Sequence, residues 1–254
     1  MQIVRVKKAE GVVWGALDGD EVRLLPDGPF TPVLSPTNSL GRLADIELLA
    51  PATPSKIVCV GRNYVAHAAE HGADVPSEPL LFLKPPSAVL APGGTIVRPG
   101  LSNQVEHESE LALVVGSRAC QVPEDRAWGY VLGVTCGNDV TARDLQRSDN
   151  QWTRGKGFDT FCPLGPWLVT GMSEEMVGDL ELSCRVNTEL RQSARTNQMV
   201  FSPAFLISYI TQVMTLEPGD VVMTGTPAGV GPLETGDTIE VEIEGIGTLF
   251  NTVK

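Results

Sequence analysis

Three glutamates occupy alternate positions in the segment VEHESELALVVG, which spans residues 105–116. In a β-strand, side chains at i and i+2 project from the same face, so Glu106, Glu108 and Glu110 would form one column of carboxylates. Two ionised carboxylates about 7 Å apart repel each other by roughly 2 kcal/mol at an effective dielectric constant near 20. Such a column is tolerated where water solvates it or where a cation binds between the carboxylates.

The residues that follow the glutamates favour a cation. The run LALVVG, residues 111–116, is apolar on both faces of a strand, which indicates a central strand and not a solvated edge. A third carboxylate would complete a site for a hard divalent cation. Asp139 follows the apolar run YVLGVTCGN and is the natural donor, although an acid beside Asn138 is also typical of an ordinary turn.

A second group of residues could supply a base. In AHAAEH, His67 and Glu70 are three residues apart, so on a helix they would share a face and could form a hydrogen bond. A carboxylate beside an imidazole orients the ring and raises its basicity, as a general base requires. His71 competes for the same helix face, and a polar face on a short surface helix would give the same pattern.

These side chains need a framework, and the sequence predicts one that is rich in strands. Residues 1–52 read as a small β-rich domain of short strands with a hairpin turn at Asp18-Gly19. The Pro-punctuated connector PATPSK then leads into a second domain, residues 53–254. In this second domain the runs IVCVG and LLFLK predict strands on either side of a short helix, from about Tyr64 to His71.

A longer helix is predicted near residue 203. The segment SPAFLISYITQV places Ser202 at the N-cap position and Pro203 at the first helical position, where the missing N–H of proline costs nothing. Apolar residues then recur at helical spacing. This helix would cover one face of the strands.

The composition excludes several classes of partner. The formal net charge is −12 and the isoelectric point is near 4.7, whereas nucleic acids and anionic membranes bind basic surfaces. The N-terminus lacks the apolar segment of a signal peptide, and no apolar run is long enough to span a membrane. The five cysteines are scattered without a CxxC motif, which is typical of reduced thiols. We therefore expect a cytoplasmic protein that acts on a small molecule.

Six sequence blocks, in this order, resemble the fumarylacetoacetate hydrolase superfamily. They are GRNYVAHAAEHG, FLKPPSAVLAPGG, HESELALVVG, GNDVTARDLQ, WTRGKGFDTFCPLGPWLV and GTPAGVG, and the resemblance runs from about residue 56 to residue 254. It implies an α+β fold dominated by strands, the rolled mixed β-sandwich of this family, behind the small β-rich N-terminal domain. It also implies a homodimer formed through the C-terminal domain.

The resemblance implies a divalent metal. The ion would be Mg²⁺ or Mn²⁺, with Ca²⁺ in some members, and Glu108, Glu110 and Asp139 would hold it. Glu106 is not one of the usual three ligands, and we assign it to the mouth of the site or to water around the metal. The metal would act as a Lewis acid on a keto acid that chelates it.

The resemblance also implies roles around the metal. His67, oriented by Glu70 on a loop that becomes helical over bound substrate, would activate water, and Lys156 would contact the substrate or a developing oxyanion. Two of the remaining assignments have ordinary structural alternatives, an ion pair with Asp144 for Arg143 and a structural lysine for Lys84. The residues implied to bind substrate are Arg62, Lys84, Arg143, Gln146 and Thr226.

The function that this pattern favours is hydrolysis of a C–C bond in an acylpyruvate or β-diketo acid such as fumarylpyruvate. Oxaloacetate decarboxylation would use the same site without an attacking water. Isomerisation of 2-hydroxyhepta-2,4-diene-1,7-dioate or 5-carboxymethyl-2-hydroxymuconate, in aromatic catabolism, would need proton transfer alone. A catalytically silent metal-binding β protein is the non-enzymatic alternative.

Overall fold

Short strands dominate the N-terminal region of the computed structural model, which describes residues 1–70, 72 and 74–254. They are β1 (Gln2–Lys8), β2 (Gly11–Asp18), β3 (Glu21–Leu25), β4 (Ser39–Arg42) and β5 (Leu48–Leu49). The predicted hairpin is confirmed, because β2 and β3 pair antiparallel from Asp18 and Glu21 outwards. Gly19 takes a φ of +65° in the turn, a conformation that glycine adopts without strain.

The remaining elements alternate irregularly between strands and short helices. The strands are β6 (Ile57–Gly61), β7 (Leu80–Lys84), β8 (Val89–Leu90), β9 (Thr95–Ile96), β10 (Val105–His107), β11 (Ser109–Val115), β12 (Val131–Asn138), β13 (Thr141–Ala142), β14 (Cys162–Thr170), β15 (Glu181–Val186), β16 (Glu189–Arg195), β17 (Val221–Met223), β18 (Gly231–Pro232), β19 (Thr238–Ile243) and β20 (Gly247–Val253). The helices are α1 (Val65–Glu70), α2 (Glu124–Ala127), α3 (Arg143–Ser148), α4 (Thr153–Lys156), α5 (Glu174–Val177) and α6 (Pro203–Val213).

Within the described residues, the strands form one large sheet and two smaller ones. The large sheet has the order β4-β3-β2-β1-β14-β12-β11-β17-β6-β7, with β5 beside β1 and β8 beside β14. The second sheet has the order β16-β15-β19-β20-β9, and the short third sheet has the order β13-β10-β18. The predicted strand-dominated α+β fold is therefore confirmed.

Strand β11 is buried on both faces, as its sequence predicts. Leu111 and Leu113 pack with residues of the five-stranded sheet such as Leu182. Ala112 and Val114 point the other way, into a second cluster of buried apolar side chains. Apolar residues on both faces suit a strand in the middle of a layered fold. Any carboxylate at its start is consequently held by a rigid element.

The three glutamates do not lie on the one continuous strand that the alternation predicts, because the strand is interrupted at Glu108. Strand β10 ends at His107 and belongs to the three-stranded sheet, whereas β11 begins at Ser109 and belongs to the large sheet. Glu108 lies at the break between them. Its N–H donates to Oδ1 of Asn138 at 3.0 Å, and its carbonyl accepts the N–H of Asp139 at 2.8 Å. These bonds occupy the backbone groups of Glu108 while the chain passes from one sheet to the other.

The predicted helices are confirmed at their starts. The hydroxyl of Ser202 accepts the N–H of Phe205 at 3.2 Å, and Pro203 is the first residue of α6. Helix α1 ends at Glu70, and the predicted extension to His71 lies outside the described residues. Among the helices of the described chain, none is long and apolar enough to cross a bilayer.

Candidate active site and metal centre

Three acidic side chains converge where β11 begins and β12 ends. Carboxylate oxygens of Glu108, Glu110 and Asp139 lie within 4.8 Å of one another, and all three residues are buried. Glu110 pairs with Gly137 across the ladder between β11 and β12, so the acid that follows Asn138 lies beside it. The sheet register therefore brings together carboxylates that are about 30 residues apart in the chain.

Two buried lysines neutralise part of this negative charge. The ammonium of Lys156 donates to Oε2 of Glu108 at 2.8 Å and to Oδ2 of Asp139 at 2.6 Å. Lys84 donates to the other oxygen of Asp139 and to the carbonyl of Val140 at 3.0 Å. Both lysines are almost wholly removed from solvent, so these contacts are made in a low-dielectric environment.

Arg143 connects two of the glutamates. Its Nε donates to Glu106 at 2.7 Å and its Nη2 donates to Glu108 at 2.5 Å. Its Nη1 donates to Oε1 of Gln146 at 2.6 Å. The alternative ion pair with Asp144 does not form, because Asp144 accepts the hydroxyl of Ser102 and the N–H of Asn103. Glu106 therefore lies outside the acidic triad and is paired with the guanidinium of Arg143.

The carboxylates of the triad differ in their proton affinity. Burial raises the pKa of Glu110 well above its ordinary value, and the charges of Asp139 and Glu108 raise it further. Burial also favours the protonated form of Glu108, but the charges of Lys156 and Arg143 outweigh it and hold the pKa of Glu108 well below the ordinary value. Glu110 is therefore the carboxyl that lacks sufficient positive charge nearby.

This imbalance fits a divalent cation. Glu108, Glu110 and Asp139 offer only hard oxygen donors, the ligands that Mg²⁺, Mn²⁺ and Ca²⁺ prefer. A cation would also provide the positive charge that Glu110 lacks. The residues present therefore fit the metal that the sequence implies.

The loop after β17 donates backbone hydrogen bonds to the carboxylates of Glu110 and Glu70. The N–H of Gly225 donates to Oε2 of Glu110 at 2.7 Å. Four residues later, the N–H of Gly229 donates to the two oxygens of Glu70 at 3.1 and 3.3 Å. Gly229 has a φ of +99°, and a Cβ there would lie 2.1 Å from the carbonyl oxygen of Arg191, so this position requires glycine.

His67 and Glu70 form the pair that their spacing predicts. The Nδ1 atom of His67 lies 3.4 Å from Oε2 of Glu70 on α1, and the side chain of His67 is 7% exposed. Burial lowers the pKa of His67, and the charge of Arg143 acts in the same direction, whereas Glu108 and Glu70 oppose them. The imidazole is therefore mainly neutral at pH 7, the state in which it can accept a proton.

A cavity of about 590 Å³ joins these groups. The acidic triad, His67, Glu70 and Lys156 all line it. Of the residues implied to bind substrate, the cavity is lined by Arg62, Arg143, Gln146 and Thr226. Lys84 is not among the described residues that line it, because this lysine lies behind Asp139. Lys84 is thus placed to hold the carboxylate of Asp139 rather than to touch a substrate.

Arg147 and Gln192 are two of the residues in or behind the cavity wall that sequence analysis overlooks. Arg147 lines it, one helical turn after Arg143 on α3, and this i, i+4 spacing could have indicated it. Gln192 is 1% exposed behind Thr226, to which it donates a hydrogen bond. Its only signal in the sequence is a polar residue at an inward-facing position of β16, and inward positions cannot be identified without knowing the partner strands.

Known proteins resemble the chain along its full length. It is 47% identical to Protein Rv2993c of Mycobacterium tuberculosis, with 100% of this chain and 98% of the relative covered. A solved 5-carboxymethyl-2-hydroxymuconate delta-isomerase from Mycobacterium smegmatis is 45% identical, covers 100% of this chain and 99% of its own, and superposes with a TM-score of 0.90.

Two further relatives have other names. Oxaloacetate tautomerase FAHD2A, mitochondrial, of Homo sapiens is 45% identical, with 83% of this chain and 70% of that protein covered. A fumarylpyruvate hydrolase from Pseudomonas aeruginosa, solved in complex with Mn²⁺ and pyruvate, is 34% identical, covers 82% of this chain and 91% of its own, and has a TM-score of 0.74.

The family comparison covers both regions of the sequence. Residues 1–51 match the family described as Rv2993c-like, N-terminal. Residues 56–254 match the family described as Fumarylacetoacetate (FAA) hydrolase C-terminal. The resemblance seen in the six sequence blocks is therefore confirmed, and the chain belongs to the fumarylacetoacetate hydrolase superfamily.

Proposed function

We propose that the protein is a divalent-metal-dependent enzyme that moves a proton at the carbon next to the keto group of a 2-oxo dicarboxylic acid. The reaction is a keto–enol tautomerisation or the related shift of a double bond. The observation that carries this proposal is the buried imidazole of His67, which lies 3.4 Å from Glu70 in the same cavity as the acidic triad. A base and an electrophile are what this chemistry requires.

The charges around the cavity favour a substrate with two carboxylates. Among the described residues, four cationic and five acidic side chains line it, and the whole chain carries a net charge of −12. Arg143 and Lys156 bond the acidic groups, so Arg62 and Arg147 are the cations left to face an anion. Local cations of this kind attract an anion into a concave site despite the opposite global charge. Arg62 has a φ of +59°, the left-handed conformation that is strained for a residue with a side chain. Strained backbone of this kind clusters where a side chain has to be placed for function.

The residues of the chain divide the chemistry between them. A divalent cation held by Glu108, Glu110 and Asp139 would supply Lewis-acid polarisation of the keto group. His67 accepts the proton from the adjacent carbon, and the carboxylate of Glu70 stabilises the imidazolium that results. Lys156 keeps positive charge at the cavity wall, where negative charge develops on the substrate. His67 then returns the proton to oxygen or to a more distant carbon.

The named relatives support proton transfer as the reaction class. The human oxaloacetate tautomerase and the M. smegmatis delta-isomerase are both 45% identical to this chain. Both names describe reactions that relocate a proton without adding water. Oxaloacetate and 5-carboxymethyl-2-hydroxymuconate also both carry more than one carboxylate, in agreement with the two arginines, Arg62 and Arg147, that line the cavity.

Hydrolysis of an acylpyruvate is the second candidate, and the His67–Glu70 pair favours it. A carboxylate-supported imidazole suits activation of a water molecule, with C–C cleavage and release of pyruvate as the outcome. The P. aeruginosa fumarylpyruvate hydrolase, 34% identical, supports this alternative. It needs one element more than proton transfer does, a water positioned between the imidazole and the distal carbonyl carbon.

One NMR experiment separates these reactions. The protein with Mg²⁺ is incubated in D₂O with oxaloacetate, and the loss of the C3 proton signal and the formation of pyruvate are followed together. Exchange at C3 that is faster with enzyme than without it, and without enzyme-dependent formation of pyruvate, supports the proposal. Pyruvate formed in proportion to enzyme indicates decarboxylation. A parallel incubation with acetylpyruvate tests hydrolysis. Turnover of acetylpyruvate without enzyme-dependent exchange of oxaloacetate would overturn the proposal in favour of the hydrolase.

A further inference from the structure

Gln192 lies outside the cavity and connects two walls of the site. It is on β16 of the five-stranded sheet, and its side chain is buried between the segment that carries the glutamates and the loop after β17. Its Oε1 lies 3.0 Å from the N of Ser109, 2.9 Å from the Oγ of Ser109 and 3.1 Å from Nδ1 of His107. Its Nε2 donates to Oγ1 of Thr226 and to the carbonyl of Pro227, both at 2.8 Å.

These contacts fix the orientation of the amide. A backbone N–H can only donate and a backbone carbonyl can only accept, so Ser109 must face Oε1 and Pro227 must face Nε2. Flipping the amide would leave both of these buried backbone groups without a partner, which is unfavourable. The side chain of Gln192 therefore has one orientation.

The orientation of the amide determines what the Thr226 hydroxyl can do. Thr226 is 2% exposed and lines the cavity, and its oxygen accepts the N–H of Gln192. Among the described residues, this is the one hydrogen bond that the hydroxyl makes. A hydroxyl whose oxygen already accepts keeps its proton for a different partner. The preceding residue, Gly225, donates its N–H to Glu110, so Thr226 directly follows a residue that contacts the acidic triad.

We propose that Gln192 is a positioning residue that fixes the Thr226 hydroxyl as a hydrogen-bond donor to a carboxylate of the bound 2-oxo acid. The inference rests on the proposed function for the nature of the ligand. Gln192 does not touch the substrate. It determines whether the Thr226 hydroxyl, which does touch the substrate, donates or accepts a hydrogen bond. It does so because its amide donates to Thr226 while Ser109, His107 and Pro227 hold that amide in place.

The experiment measures binding of pyruvate, a 2-oxo acid with one carboxylate, by calorimetry in the presence of saturating Mg²⁺. Thr226→Val removes the donor and should weaken pyruvate binding roughly ten- to a hundredfold, as expected for loss of a hydrogen bond to a charged group. The matched control Thr226→Ser keeps the hydroxyl and should stay within about threefold of the parent. Because no turnover is involved, failure of the proposed reaction leaves this measurement interpretable.

Gln192→Glu tests the role of Gln192 itself. A carboxylate oxygen in place of Nε2 accepts from Thr226, which turns the hydroxyl proton away from the substrate. This variant should weaken pyruvate binding about as much as Thr226→Val, and adding Thr226→Val to it should cause little further loss. Gln192→Met, which can neither donate nor accept through an amide, leaves the hydroxyl unconstrained and should give an intermediate loss. It also serves if the Glu variant does not fold.

Two results would overturn the proposal. If Thr226→Val binds pyruvate as tightly as the parent, the hydroxyl does not donate to the carboxylate. If the effects of the Gln192 and Thr226 variants multiply, so that the double variant loses the product of the two fold-changes, Gln192 acts through the general structure of the site and not through Thr226.

Discussion

The Nδ1 atom of His67 lies 3.4 Å from Oε2 of Glu70, and Glu70 is in turn held by the N–H of Gly229. The proposed base is thus connected through Glu70 to a loop that also contacts Glu110 through Gly225. Helix α1 comprises only six residues, too few to be stable without tertiary contacts. The bond between Glu70 and Gly229 is one of the contacts that hold it over the cavity.

Replacing His67 should abolish proton transfer while sparing the metal site. We expect His67→Gln to lower kcat for C3 exchange at least a hundredfold, since a positioned general base contributes factors of that order. Mg²⁺ affinity, measured by calorimetry, should change less than threefold, because His67 is not part of the acidic triad. A variant that keeps its exchange rate would show that another group takes the proton.

The pH dependence of the reaction should report the same imidazole. Burial lowers the pKa of His67 below its ordinary value of 6.5. The neutral base therefore predominates at pH 7 and above, and the midpoint of the decline of kcat/KM towards acid pH should lie below pH 6.5. A decline that is centred above pH 6.5 would contradict this reading of the environment of His67.

The unfolding free energy of the metal-free protein should fall as pH rises, because of the raised pKa of Glu110. Its pKa in the folded state is raised above the ordinary 4.5, so the folded protein binds the proton more tightly than the unfolded chain does. The stability that this proton provides is complete below about pH 4.5 and is lost as pH rises towards the folded pKa, at up to about 1.4 kcal/mol per pH unit. Urea unfolding with a chelator at several pH values measures this slope.

Glu110→Gln provides the control for that slope. A neutral amide removes the titrating group, so the difference in unfolding free energy between parent and variant should change with pH from 5 to 8. The variant should also gain less stability from Mg²⁺ than the parent does, because one of the three proposed ligands is gone. Equal slopes in parent and variant would mean that Glu110 is ionised in the metal-free protein.

Much of the framework can be predicted from the sequence, and the exceptions have physical reasons. The run after Glu110 predicts a central strand, and the caps of α6 predict its start, because both depend on neighbouring residues alone. The break at Glu108 depends on Asn138 and Asp139, which lie 30 residues away. Periodicity contains no information on such a contact.

The same distinction applies within the site. The types and spacing of His67 and Glu70 predict their contact because both lie on one helix. The position of Lys84 behind Asp139, and that of Gln192 behind Thr226, depend on which strands become neighbours. A sequence does not give this register directly.

Arg62 should affect substrate affinity and stability in opposite directions. Its φ of +59° is strained for arginine and relaxed for glycine. We expect Arg62→Gly to leave the unfolding free energy unchanged or to raise it by up to about 1 kcal/mol, since relief of strain is offset by the greater entropy of glycine in the unfolded chain. Calorimetry should show weaker binding of oxaloacetate but little change for pyruvate, if Arg62 holds the second carboxylate. Equal losses for both ligands would place Arg62 at the shared carboxylate instead.

Variants of the two buried lysines, Lys84 and Lys156, should distinguish an effect on stability from an effect on the reaction. Removing one partner of a buried ion pair leaves a charge without compensation and costs about 3–5 kcal/mol, so Lys84→Met and Lys156→Met should both destabilise the metal-free protein to this extent. Saturating Mg²⁺ should restore part of the loss in each, because the cation compensates the same carboxylates.

Of these two lysines, only Lys156 lines the cavity. In the Mg²⁺-saturated proteins we therefore expect Lys156→Met to lower kcat/KM for C3 exchange by at least tenfold more than Lys84→Met. Equal kinetic losses would show that Lys156, like Lys84, acts only by holding carboxylates of the triad.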